Sequence, residues 1–288
     1  MDPWLGVLCV VLLAVSGAAL GRVSSRLGGR LWSAGFVLSL LAIAALISIR
    51  HIHLPDWAGF VSWFATDWPR FLVLAPAITT GMTTTISRVR RRSIKVSTSA
   101  AMMIFVICFT VSPFLIPALL KAELSELRTK IDSNGICLQT TDYTCGPAAA
   151  VTALGRLGLH GDEGEIAVLS NTSPTGGTLP LSLCTALERR YGENGLKCRY
   201  RRFDAIKELE RAGPALVVVK GAFMIDHWVA VLNVSDRMIV LADPSIGKRL
   251  MLPEQFRKVW RFYGIVLERP VARRLVTQST FFKRDSEG

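Results

Sequence analysis

The segment Leu138–Ala150, LQTTDYTCGPAAA, sets a cysteine directly before Gly-Pro and an alanine-rich run, with a glutamine six residues earlier. Pro147 suits the first turn of a helix, where its missing N–H costs nothing. The run AAAVTALGRLG that follows ends at Gly158, a C-terminal stop. Cys145 is therefore expected at a helix start, where the helix dipole and free backbone N–H groups favour a thiolate. Structural cysteines are commoner than nucleophiles, so the reading needs a partner base.

Two histidines follow residue 120. His160 sits in a turn, GLHGDEGE. His227 opens HWVAVLNV, an apolar run with the character of a buried strand. A strand end holds a base more rigidly than a turn does, which favours His227. The strand MIVLAD then ends at Asp243. With Ser235–Asp236–Arg237 as a three-residue turn, Val234 lies opposite Met238 and Val229 opposite Asp243. His227 and Asp243 then share a face, one diagonal step apart. A two-residue turn would put them on opposite faces, and DPS is also an ordinary turn sequence. Asp226 and Asp142 are alternative acids, but Asp226 points away from its strand neighbour. Gln139 is the candidate second donor, beside the Cys145 N–H, to the oxyanion of a tetrahedral intermediate. The four residues together suit acyl-transfer chemistry through a thioester.

These residues need elements to hold them. Helices are expected at Leu179–Tyr191 and Asp204–Ala212, the second with Asp204 as N-cap and Gly213 as stop. Strands are expected at Ala215–Lys220, His227–Val234, Met238–Ala242 and Phe262–Glu268. Helices followed by strands give an α+β class, and about 130 residues suffice for one core. The basic run KCRYRRF, 197–203, is read as a solvated strand face.

Half of all residues are hydrophobic and the mean hydropathy is +0.38, which points to a membrane protein. The long apolar runs lie before Leu120. The expected division is 1–120 membrane region, 121–134 linker, 135–268 catalytic domain and 269–288 polar tail. Four spans are expected, at Trp4–Leu20, Trp32–Ile49, Phe71–Ile86 and Ala100–Leu120. No basic residue precedes the first, so an anchor is preferred to a signal peptide. WAGFVSWFATDW, 57–68, reads as an interfacial piece; as a fifth span it would invert everything after it. The threonines of the third span, Thr79 to Thr85, read as packing glue. Cys9 and Cys108 are expected in the membrane, and HIH at 51–53 at its polar border.

The net charge is +12, with +7 before residue 120 and +5 after it. Loops 21–31 and 87–99 carry eight basic residues and no acid, whereas loop 50–70 is neutral. Basic loops stay cytoplasmic, which places the domain outside the cytoplasm, at a bacterial inner membrane. A disulfide among Cys137, Cys184 and Cys198 is then compatible with the compartment. No aromatic-plus-basic nucleic-acid module, zinc spacing or nucleotide-binding G-x-x-x-x-G-K-[ST] occurs, so no nucleic acid, metal or cofactor is expected.

CLQTTDYTCGPAAAVTALGRLG, SPTGGTLPLSLCTALERRYG and HWVAVLNVSDRMIVLADPSIGKRLML resemble the bacteriocin-processing, double-glycine leader peptidases, a papain-like cysteine peptidase family. The resemblance covers about Gly135 to Leu267. It implies a papain-like fold with Cys145 as nucleophile, His227 as base, Asp243 as orienting acid and Gln139 at the oxyanion. It implies a peptide substrate, a leader cut after Gly-Gly, and a transporter or secretion partner. Two departures stand out: here the domain follows four spans rather than preceding six, and no ATP-binding motif accompanies it. An amide or acyl transferase with the same triad, or a non-catalytic assembly module of an export system, are the competing readings.

Overall fold

The computed structural model describes residues 3–28, 32–51, 69–222 and 225–269. Helices occupy Pro3–Arg26, Ser33–His51, Pro69–Ile86 and a continuous run Arg92–Leu119 that passes through a π-helical turn at Ile107–Val111. All four expected spans are thus helical. Among the described residues, however, only two of the helices, Pro3–Arg26 and Arg92–Leu119, are long and apolar enough to cross a membrane. Expecting four such helices needs correction. The apolar part of the second, Ser33–Ser48, falls short of a crossing length, and Pro69–Ile86 is diluted by Arg70, Pro76 and its threonines. The 57–68 segment, His53 of the HIH run and the tail from residue 270 lie outside the described residues.

The threonines do serve packing. Thr80 Oγ1 donates to the Gly17 carbonyl at 3.0 Å and Thr84 Oγ1 to that of Gly21 at 3.3 Å. A Cβ on Gly17 would meet Thr79 Oγ1 at 2.2 Å, so only glycine lets these two helices approach so closely. Cys9 is half-buried and Cys108 exposed on the helix surface.

Residues 121–134, expected as a linker, are built into the domain instead. Helix Lys121–Ser125 is separated from Leu119 by the single residue Leu120 and seats Leu124, 1 % exposed, against helix Glu163–Leu169. β1 (Lys130–Ile131) then pairs antiparallel with β2 (Cys137–Leu138). Leu124 explains this order: one fully buried leucine on a short helix is enough to dock it.

The domain is α+β. After helix Cys145–Arg156 come helices Glu163–Leu169 and Pro180–Tyr191. β3 (Lys197–Arg202), β4 (Ala215–Ala222), β5 (Ile225–Val234), β6 (Ile239–Asp243), β7 (Gly247–Met251) and β8 (Trp260–Glu268) form one antiparallel sheet, in the order β3-β8-β4-β5-β6-β7. Helices Ile206–Ala212 and Pro253–Val259 complete the domain. Leu216, Val218 and Trp228 face a core shared with the Cys145 helix, while Val217, Val219 and Val229 face a second core with Leu209 and Phe256. Both faces of the central strands are covered, which is why they read as unbroken apolar runs. Asp204 is not the N-cap it was expected to be: Ala205 holds that position, and the Asp204 N–H goes to Glu208 Oε1 at 3.2 Å.

The β5–β6 hairpin differs from the expected one in an instructive way. Val234 pairs with Ile239, not Met238, so the turn is one residue longer than expected. A β-bulge between Val231 and Asn233 then removes that residue, and Ala230 pairs with Ala242. Beyond the bulge the register is the one that puts His227 and Asp243 on one face; without it they would point opposite ways.

Candidate active site

Cys145 is the first residue of its helix, 7 % exposed, with Pro147 in the first turn. A Cβ on Gly146 would lie 2.8 Å from that of Thr178, so glycine is needed where loop 173–178 crosses the helix start. That loop closes on itself through the Ser173–Gly177 bridge. The Thr178 carbonyl accepts the Trp228 indole N–H at 3.0 Å.

His227 Nε2 lies 2.7 Å from Asp243 Oδ1. Cys145 stands close enough to the same ring to raise the imidazole pKa. With Nε2 taken by Asp243, Nδ1 is left for the sulfur. Burial lowers the imidazole pKa, but the hydrogen bond the ring donates to Asp243, together with the charge of Asp243 and the nearby Cys145, outweighs it, and the pKa is pushed up to about 9. Burial raises the Asp243 carboxyl, while His227, the Ser245 N–H and Arg249 more than offset that, leaving it below the usual value. Asp243 Oδ1 accepts the Ser245 N–H at 3.0 Å, and Arg249 Nη1 stands 3.5 Å from Oδ2.

Gln139 is half-buried beside this chain. Its backbone N–H donates to the Pro244 carbonyl at 2.9 Å, its Nε2 to the Thr141 carbonyl at 2.9 Å, and its Oε1 accepts from Ser245 Oγ at 3.1 Å. Of the alternatives, Asp226 is paired with Arg261 at 2.8 Å, Asp142 lies in the turn ahead of Cys145, and His160 is exposed. Among the described residues no group of three His, Cys, Asp or Glu is placed to hold a metal ion. All six cysteines are unpaired thiols. Cys184 and Cys198 are buried side by side, and burial pushes the Cys198 thiol far up.

A cleft of about 440 Å³ opens beside Cys145, walled by Tyr143, loop 174–180, Tyr200, Trp228 and Tyr263, and by Arg70 from the helical region. Its wall includes Cys145 but not His227, Asp243 or Gln139. The sulfur therefore stands where a substrate-sized space meets a hydrogen-bonded charged chain. Sequence reasoning assigned no part in the site to Ser245, Arg249, Thr178 or Trp228. Ser245 was within reach of it, because an Asp two residues ahead of an N–H commonly forms an Asx turn. Arg249 was not, since β7 reads as a polar loop.

Residues 133–271 match the Peptidase C39 family. An uncharacterized protein of Methanothermobacter marburgensis is 31 % identical over 147 residues, covering 51 % of this chain and 97 % of the relative. A second, from Methanothermobacter thermautotrophicus, is 28 % identical over 148 residues, covering 51 % and 98 %. Among solved structures, the peptidase domain of Streptococcus ComA, a bifunctional ABC transporter of a quorum-sensing pathway, aligns with TM-score 0.40 and 22 % identity, covering 46 % of this chain and 96 % of that one. A double-glycine motif protease from an AMS/PCAT transporter, in complex with its leader peptide, aligns with TM-score 0.40 and 17 % identity, covering 50 % and 96 %.

Proposed function

The chain belongs to the Peptidase C39 family, and on that premise we propose that it is a membrane-anchored cysteine peptidase working through Cys145, His227, Asp243 and Gln139. The observation that carries this is the His227 ring, held by the Asp243 carboxylate at 2.7 Å and near enough to Cys145 for that residue to raise its pKa. With its pKa raised to about 9, His227 is well placed to hold the proton that leaves Cys145 on attack. The thiolate attacks the peptide carbonyl. The resulting oxyanion is met by the Cys145 N–H and the second Nε2 hydrogen of Gln139. His227 gives its proton to the leaving amine, then takes one from the water that hydrolyses the thioester. Asp243 keeps the ring in the tautomer and orientation this requires.

The substrate in this reading is a peptide, in its narrowest form a leader cut after Gly-Gly and presented by an export partner. Pro3–Arg26 and Arg92–Leu119, the two helices long and apolar enough to cross, anchor the chain, with the domain extracytoplasmic as the basic loops 21–31 and 87–99 require. The helix Pro69–Ile86 packs against both Pro3–Arg26 and Ser33–His51. A central helix meets other helices rather than lipid, so it tolerates threonines. The test is incubation of the full chain with peptides carrying Gly-Gly or Ala-Ala at the cut. New amino termini are expected with the wild type and none with Cys145→Ala, and turnover by Cys145→Ala overturns the reading.

A further inference from the structure

Gln139 can stabilise an oxyanion only if the nitrogen end of its amide is held in one place. A carbonyl oxygen accepts and never donates, so the 2.9 Å contact to the Thr141 carbonyl identifies Nε2 and leaves its second hydrogen to offer. The oxygen end is held by the Ser245 hydroxyl at 3.1 Å. Ser245 also gives its backbone N–H to Asp243 Oδ1 at 3.0 Å. One residue thus joins the acid behind His227 to the amide in front of Cys145, by two different groups.

The backbone next to Gln139 has its own anchor. Glu163 is 0 % exposed, and both its carboxylate oxygens go to one residue: Oε1 takes the Thr140 N–H at 2.8 Å and Oε2 the Thr140 hydroxyl at 2.7 Å. That hydroxyl also lies 3.2 Å from the Arg128 carbonyl. Glu163 is itself set by its N–H to Thr129 Oγ1 at 2.9 Å. A fully buried carboxylate is costly to desolvate, and one committed to a single loop residue holds that loop firmly. Peptidase chemistry as proposed above gives Glu163 no step to perform.

We infer that Glu163 and Ser245 are positioning residues that hold the Gln139 amide ready for the oxyanion, Glu163 through Thr140 and Ser245 through the amide oxygen. The inference rests on the peptidase reading. It sets a ceiling: neither residue can cost more through this route than losing Gln139 itself, about 10²–10³-fold in kcat. Ser245→Ala keeps the backbone N–H to Asp243 and removes only the hydroxyl. Glu163→Gln keeps the volume and removes the charge. Each is expected to lower kcat by about 3–10-fold, the size of one or two hydrogen bonds, with KM unchanged.

The experiment is a pair of double-mutant cycles on the full chain, Gln139→Ala with Ser245→Ala and Gln139→Ala with Glu163→Gln, read as kcat and KM. Both second substitutions are expected to have no further effect once Gln139 is gone. Equal losses with and without Gln139, or unchanged kcat in both single variants, overturn the inference while leaving the peptidase reading intact. A wild type that cleaves no peptide removes the peptidase reading. The positioning claim is then decided by the side-chain amide signals of ¹⁵N-glutamine-labelled protein. The chain has three glutamines, so Gln139→Ala assigns the signal directly. Slow amide exchange at Gln139, made faster by Ser245→Ala and Glu163→Gln, upholds it; fast exchange in the wild type overturns it.

Discussion

The helical region and the sheet domain both hold long apolar segments, yet they use them in opposite ways. In the domain, Leu187, Leu154 and Leu216 are 0 % exposed. In Pro3–Arg26 and Arg92–Leu119, only 22 % and 28 % of the most apolar stretch is buried, and Leu12, mid-helix, is 58 % exposed. Burial in the helical region takes in small and polar residues, Gly17, Gly21, Thr79 and Thr84, beside a small apolar cluster that includes Val10, Phe71 and Phe114. One region hides its leucines from water; the other packs partly through glycine and threonine and turns many of its leucines outward. Apolar content alone therefore says little about where a core lies, and the direction of the side chains says much.

The largest expected effect falls wholly on the domain. His227→Ala is expected to cut turnover by roughly 10⁴–10⁶-fold, as removal of a catalytic base does elsewhere. The variant should still fold, with thermal unfolding measured at about pH 9.5, where the stabilising contribution of the His227 charge is already largely lost. Residual turnover within tenfold of wild type breaks the assignment of chemistry to this region. Next in size, Leu187→Ala should destabilise the domain by about 2–5 kcal/mol, measured by denaturant unfolding. A loss under about 1 kcal/mol would mean the two regions do not differ in packing as described.

Leu12→Lys tests the other side of the comparison. In water an exposed leucine tolerates lysine, but at the centre of a membrane helix the charge costs about 2.5–3.5 kcal/mol. The variant is expected to be depleted from the membrane fraction. Wild-type recovery there would show that the outward leucines of this helix meet water.

The smallest effect is a shift in pH. Because the folded pKa of His227 is raised to about 9, its contribution to stability is fully present below the ordinary imidazole value. It is lost as pH rises through about 9. The alkaline limb of kcat/KM should fall in the same range, where the imidazolium gives up its proton. Asp243→Ala removes two of the influences that raise this pKa, so the limb should move to lower pH, with a smaller loss of turnover than His227→Ala. An unmoved limb would mean another group titrates there.

Much of this was legible residue by residue. Pro147 and Gly158 bracket the Cys145 helix, whose end at Arg156 is followed by Gly158 at φ +69°. Short apolar runs marked β4, β5, β6 and β8. What escaped were elements whose anchoring residues are few or polar. Helix Lys121–Ser125 is held by Leu124 alone among its buried residues, and edge strand β7 carries Lys248 and Arg249. Edge strands bury little, so their sequences look like loops.

The sequence by itself determined that Cys145 begins a helix, that His227 lies near the start of a strand, which the structure begins two residues earlier at Ile225, and that Asp243 ends one, because proline, glycine and apolar runs act over a few neighbours. Whether His227 meets Asp243 was decided only in the tertiary structure. Strand pairing has a period of two, so one residue more in a turn reverses every face. The β5–β6 turn does contain one more than expected, and the bulge between Val231 and Asn233 takes it back. Sequence spacing carries no local signal for that compensation, because a bulge is settled by how the whole strand packs against β4, β6 and the Cys145 helix.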